Sequence, residues 1–92
     1  MPYAKPGKHE KLEHRGREFT LDKDESGHWQ ITDAAGTHYG WIEVITRHGA
    51  DHDPVYNGYL AGHATFSHFG SDWRGITGSL VNDFDGEHRF AQ

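Results

Sequence analysis

The stretch RHGADHDP, residues 47–54, holds two histidines and two aspartates in eight positions. Imidazole and carboxylate are ligands for metals of the zinc and iron type. His48, Asp51 and His52 are therefore the residues a metal site would use, and a His/Asp metal-dependent hydrolase is one function class to weigh. The spacing argues against it. His48 and His52 stand at i, i+4, but Gly49 and Pro54 mark a loop, and on a loop that spacing fixes no tetrahedral geometry. His63 and His68 differ by five, which puts them on opposite faces of a regular strand. No metal motif is matched. The expectation is a solvated loop, no metal and no cofactor.

Acid–base catalysis needs two groups of tuned pKa in one cleft. The chain offers nine histidines and fourteen acids, and none stands in a signature. There is no nucleophile elbow and no Gly-rich phosphate loop. Ser67-His68 and Ser71-Asp72 are neighbours only in sequence. The chain is expected not to be an enzyme. His28, His38 and His88 follow Asp-to-Gly turns, where they pair across a hairpin or serve as pH-sensitive groups.

Aromatic and Arg side chains on loops are the usual anchors of binding surfaces. Tyr56 lies beside the Asn57-Gly58 turn signal, and Trp73-Arg74 sits in GSDWRG. Tyr56, Trp73 and Arg74 are therefore the expected anchors of a non-enzymatic binding or accessory protein. Its contact would be protein–protein, with another protein or in a homo-oligomer. A rival class is a nucleic-acid binder using a basic N-terminal arm and sheet aromatics such as Trp29, Trp41 or Tyr39. Salt separates the two, because phosphate binding weakens steeply as salt rises.

These side chains need a scaffold, and the scaffold reads as mainly β. EFTLDK, HWQITD and HYGWIEVI are rich in aromatic and β-branched residues. The connectors DESG and DAAG each begin with Asp and end with Gly, as a three-residue hairpin loop does. With Glu25-Ser26-Gly27 as the first loop, Lys23 faces Trp29 and Leu21 faces Ile31. With Ala34-Ala35-Gly36 as the second, Asp33 faces Thr37, Ile31 faces Tyr39, and Trp29 faces Trp41. Leu21, Trp29, Ile31, Tyr39 and Trp41 then share one face, with Ile42 and Val44 on the other. A small antiparallel meander follows, with strands near 18–24, 28–33, 37–46 and 58–69, curling into a curved sheet or small barrel.

The C-terminal segment reads two ways. GITGSLVNDF, DG and EHRFA form a hairpin. Alternatively, Trp73, Ile76, Leu80, Val81 and Phe84 fall at helical spacing, giving a helix near 72–85 with Ser71 as N-cap, Gly86 as stop and an α+β fold. Gly75 and Gly78 each cost a helix about 1 kcal/mol against Ala, which favours the hairpin.

Ninety-two residues make one domain with a modest core. The charge is uneven: residues 1–17 carry five basic and two acidic side chains, and residues 18–92 carry four basic and twelve acidic ones. A basic, partly flexible arm over 1–17 would thus precede a compact acidic body over 18–92. The acidic body disfavours duplex nucleic acid as the main partner, leaving the arm as the part that could touch phosphate. The chain has no cysteine, which fits a cytoplasmic protein. No apolar run approaches the roughly 20 residues that span a bilayer, and the N-terminus lacks a secretory signal's apolar core, so no membrane association is expected.

Overall fold

The computed structural model describes residues 6–45 and 54–90. Six strands run in the order β1 (His9–His14), β2 (Arg17–Lys23), β3 (Trp29–Asp33), β4 (His38–Ile45), β5 (Val55–Leu60) and β6 (His68–Gly70), followed by helix α1 (Trp73–Phe90). Each strand pairs antiparallel with the next in one sheet. The sheet curls into a half-barrel, and α1 packs on its concave face against β4, β5 and β6. The mainly β meander read from the sequence is the observed fold.

Both Asp-to-Gly turns form. Asp24 N–H donates to His28 O at 2.8 Å, and Asp33 N–H donates to Thr37 O at 3.2 Å. Gly27 and Gly36 close the two loops at φ of 85° and 86°, a conformation that glycine adopts without a Cβ penalty. Each Asp also accepts two further backbone N–H groups through its carboxylate. Lys23 pairs with Trp29 and Leu21 with Ile31, as expected.

The second hairpin departs from expectation two residues after its turn. Thr32 pairs with His38, but Ile31 pairs with Gly40, leaving Tyr39 as an inserted residue in β4. The bulge shifts the register by one, so Trp29 faces Ile42 and Gln30 faces Trp41. Ile42 therefore enters the core and Trp41 leaves it. Gly40 makes the bulge possible. A Cβ there would overlap the Tyr59 carbonyl oxygen of β5.

The C-terminal hairpin is corrected to the helix. Trp73, Ile76, Thr77, Leu80, Val81 and Phe84 lie on one stripe of α1 and meet the sheet. A strand would have sent Leu80 and Val81 to opposite faces. Of the two glycines that argue against a helix, Gly78 has a tertiary reason, since a Cβ there would meet the His14 ring, and Gly75 a local one, since a Cβ there would meet the Asp72 carboxylate one turn earlier. The helix follows Asp72 rather than Ser71 and continues through Gly86. Gly58 of β5 also lacks a side chain where Ile76 and Leu80 approach.

The core is Phe19, Leu21, Trp29, Ile31, Tyr39, Ile42, Tyr56, Leu60, Trp73, Ile76, Leu80 and Val81. Burying a large apolar side chain contributes about 1.5–3 kcal/mol, so this set dominates the stability.

The segment expected to be a flexible arm supplies β1. Its residues 9–14 pair with 17–22. Leu12 packs against the core, and Trp29 Nε1 donates to Gly7 O at 2.9 Å. Polar contacts tie the hairpin to the far end of α1. Arg17 donates to Asp85 at 2.9 Å and to the Tyr39 hydroxyl, and His14 bonds Asn82 at 3.0 Å.

Candidate functional site

The outer, convex face carries a row of aromatic rings across β4, β5 and β6. It exists because the bulge at Tyr39-Gly40 turns Trp41 outward. Trp41 and Tyr59 are direct cross-strand partners, and their rings stack at 3.8 Å and 3°. His28 stacks on Trp41 at 4.4 Å. Phe66, in the β5–β6 connection, meets Tyr59 edge-on at 6.4 Å, and Phe69 of β6 meets Phe66 edge-on at 6.1 Å. Edge-to-face and stacked pairs contribute about 0.5–1.5 kcal/mol each beyond area burial.

Exposure rises along this row. His28, Trp41 and Tyr59 are half-buried. Phe66 is 47 % exposed and Phe69 is 72 % exposed. Val55 is exposed and lies on the same face of β5, two residues from Asn57, which pairs with Phe69. Among the described residues these three are the exposed large hydrophobics. Phe66 and Phe69 meet beside the β6 edge of the sheet, and Val55 stands at the start of β5 on the same outer face.

The corner is held from below by α1. His68 Nε2 lies 2.6 Å from Asp83 Oδ2, and His63 Nε2 lies 3.0 Å from Glu87 Oε2. Both histidines reach the helix, although regular strand spacing would have set them on opposite faces. The 61–67 segment is a turn, with Gly62 at φ 85° and His63 N–H donating to Leu60 O. Such partly exposed pairs are worth only about 0–1 kcal/mol each, so they position the segment more than they stabilise it. On the outer face Tyr59 Oη donates to Glu43 at 2.9 Å. That bond, with some burial, raises the Tyr59 hydroxyl above its ordinary pKa, so it stays a donor.

The expected anchors lie elsewhere. Tyr56 is fully buried and Trp73 is 5 % exposed, both inside the half-barrel. Tyr56 alternates inward from Val55 on β5, and Trp73 begins the apolar stripe of α1, so neither is open to a partner. Arg74 is exposed and sits over the Trp73 ring at 4.8 Å. Phe66 and Phe69 went unrecognised in the sequence because YLAGHATFSHF reads as one strand with its aromatics inside. The signal was their three-residue spacing, which strand alternation cannot place on one face.

The aromatics proposed for base stacking are not available in this arrangement. Trp29 and Tyr39 are buried, and Trp41 is already stacked on both His28 and Tyr59. The residues His48, Asp51 and His52 lie outside the described residues. Among the described residues, no three His, Asp or Glu side chains converge on a point that a metal could occupy, and no helix is long and apolar enough to cross a membrane. No protein-family model matches this chain, and no curated protein or solved structure is detectably similar to it.

Proposed function

We propose that this chain is a non-enzymatic binding protein acting through a protein–protein contact at the outer corner formed by Val55, Phe66 and Phe69. The observation that carries the reading is the contact between the exposed rings of Phe66 and Phe69 beside an open strand edge, with exposed Val55 on the same outer face of β5. Exposed apolar side chains scattered singly need no explanation, whereas a cluster marks an interaction site. An extended segment of a partner can add to such an edge, with main-chain hydrogen bonds for affinity and side-chain contacts for selectivity. Phe69 and Phe66 are the anchors of this contact, and the half-buried Tyr59 and Trp41 stiffen its floor.

Site-specific photo-crosslinking in native cells tests it. A photoreactive phenylalanine at position 69 should capture protein, while the same group at Thr20, on the polar outer face of β2, should not. Equal capture at both positions, or none at 69, would remove the reading.

A further inference from the structure

We infer that this corner takes an extended segment of a partner in which apolar residues alternate with Lys or Arg, added as a further strand along β6; the inference rests on the binding role proposed above. β6 is the last strand of the sheet, and its outer edge is unpaired among the described residues. Successive side chains of a strand point to opposite faces, and β6 shows what lies on each. Phe69 points outward and is in contact with Phe66. His68 points inward and reaches Asp83 of α1 at 2.6 Å. A strand laid against β6 alternates in the same way. Its outward side chains lie beside Phe66 and Phe69, and its inward ones face α1.

The α1 side is acidic. Two grooves run between α1 and the 60–71 segment, divided by the His68–Asp83 contact. Asp72 just before α1, then Gly75, Ser79, Asp83 and Glu87, line them at steps of three or four residues, which sets these residues on one face of a helix. Among the described residues neither groove has a Lys or Arg in its wall. Arg74 lies over the Trp73 ring instead. Asp83 and Glu87 stand beside the imidazoles of His68 and His63, and a neutral imidazole leaves a carboxylate its charge. The wall is therefore anionic, in a chain of formal charge −5.

The acids are spread along the helix rather than gathered. Asp83 comes about three turns after Asp72, and Glu87 about one turn later. No three of the described His, Asp or Glu side chains converge on a metal position. A row of separated anions suits a row of separated cations. Lys at every second position of an extended chain recurs about every 7 Å, close to the rise of about 6 Å between helix residues four apart. The same row repels phosphate, which disfavours nucleic acid or an anionic lipid surface. The opposite edge of the sheet offers no such match. β1 and its flanks, residues 7–16, carry Lys8, Lys11 and Arg15 against Glu10 and Glu13, and Lys on an edge protects it from pairing. The contact on β6 is small, a three-residue strand with two rings and a row of charges, so it is weak and sensitive to salt.

Fluorescence anisotropy with three labelled seven-residue peptides tests this, at pH 8 so that imidazole is largely uncharged. One peptide alternates valine and lysine, one has the same composition with its lysines consecutive, and one alternates valine and glutamine. The first should bind the native chain with a Kd between about 10 μM and about 1 mM, and weaken as salt rises from about 50 to about 500 mM. The other two should bind at least about five-fold more weakly. Phe69→Ser should abolish binding of the first peptide. Asp72→Asn combined with Glu87→Gln should weaken it about three- to ten-fold. Lys11→Gln, on the β1 edge, should leave it unchanged, and every variant should keep the native circular dichroism spectrum. No binding of the alternating valine–lysine peptide at about 1 mM overturns the inference. So does equal binding of the consecutive-lysine peptide, or native affinity in Phe69→Ser or in the Asp72 and Glu87 double variant. Equal binding of the valine–glutamine peptide, lost in Phe69→Ser, also overturns it but leaves the corner as a protein-binding site. If no peptide binds, protein capture at position 69 in cells leaves that wider reading standing, and absence of capture removes both.

Discussion

The molecule has two sets of aromatic rings, one on each side of the sheet. Inside lie Phe19, Trp29, Tyr39, Tyr56 and Trp73, covered by α1 or the curl of the sheet. Outside lie Trp41, Tyr59, Phe66 and Phe69. Tyr39 and Trp41 are two residues apart on β4, a spacing that gives one face in a regular strand, yet they point to opposite sides. Residue type does not decide which set a ring joins. A one-residue bulge does, because it flips every side chain beyond it. The inner set builds the core, and the outer set lies on the convex face, where exposure rises from Trp41 to Phe69.

The largest test of this division is truncation of one ring from the inner set. Trp73→Ala should cost about 3–5 kcal/mol, the usual price of emptying a large aromatic site in a core. At about 4–8 °C per kcal/mol for a domain this size, the melting temperature falls by more than about 12 °C. Phe69→Ala, the equivalent truncation outside, should stay within about 0.5 kcal/mol. A Trp73→Ala melt close to native would mean that α1 does not seal the concave face.

The next test attacks the device that separates the sets. Gly40→Ala forces a methyl group into the Tyr59 carbonyl, a backbone atom that cannot turn aside. Relief requires β4 and β5 to part or the bulge to shift. A loss of about 3 kcal/mol is expected, at the upper end of the overpacking range, together with a changed near-ultraviolet signal from Trp41. An Ala variant of native stability would show that the bulge accommodates a side chain and that the flip of Trp41 has another cause.

The legible parts of the fold are those with a local cause. Asp24 to Gly27 and Asp33 to Gly36 carry their turn chemistry within four residues, and the first hairpin register followed from it. The bulge was not legible, because its reason is the carbonyl of Tyr59, nineteen residues downstream of Gly40. The helix was half legible: its apolar spacing was plain, but Gly78 counted against it until His14 of β1 took the place of a side chain. β1 itself was hidden because HEKLEH offers a single apolar residue, Leu12, and an edge strand over a small core needs no more. The site suffered most. Tyr56 and Trp73 had loop-like neighbours and were core, while Phe66 and Phe69 had strand-like neighbours and are exposed. Burial of a single aromatic depends on register and on what covers it, and both are tertiary facts.

The smallest effect is the sharpest comparison, because it removes one oxygen atom from each set. The Tyr56 hydroxyl is buried without a hydrogen-bond partner among the described residues, and burial raises its pKa above the ordinary phenol value. An unsatisfied buried polar group carries its full desolvation cost, about 1–3 kcal/mol. Tyr56→Phe removes that cost and keeps the ring that packs edge-on against Trp29 at 6.2 Å. It should therefore stabilise the fold by about 1 kcal/mol, or about 4–8 °C in melting temperature. Tyr59→Phe outside should act in the opposite sense. It keeps the stack on Trp41 but deletes the bond to Glu43, at a net cost of about 0.5–1 kcal/mol for a partly exposed hydrogen bond. Paired thermal melts of the two variants decide the matter. Opposite signs support the division into a sealed inner set and a wetted outer one. A loss of stability in Tyr56→Phe would show that the buried hydroxyl is bonded after all, and that the inner set is not closed to polar partners.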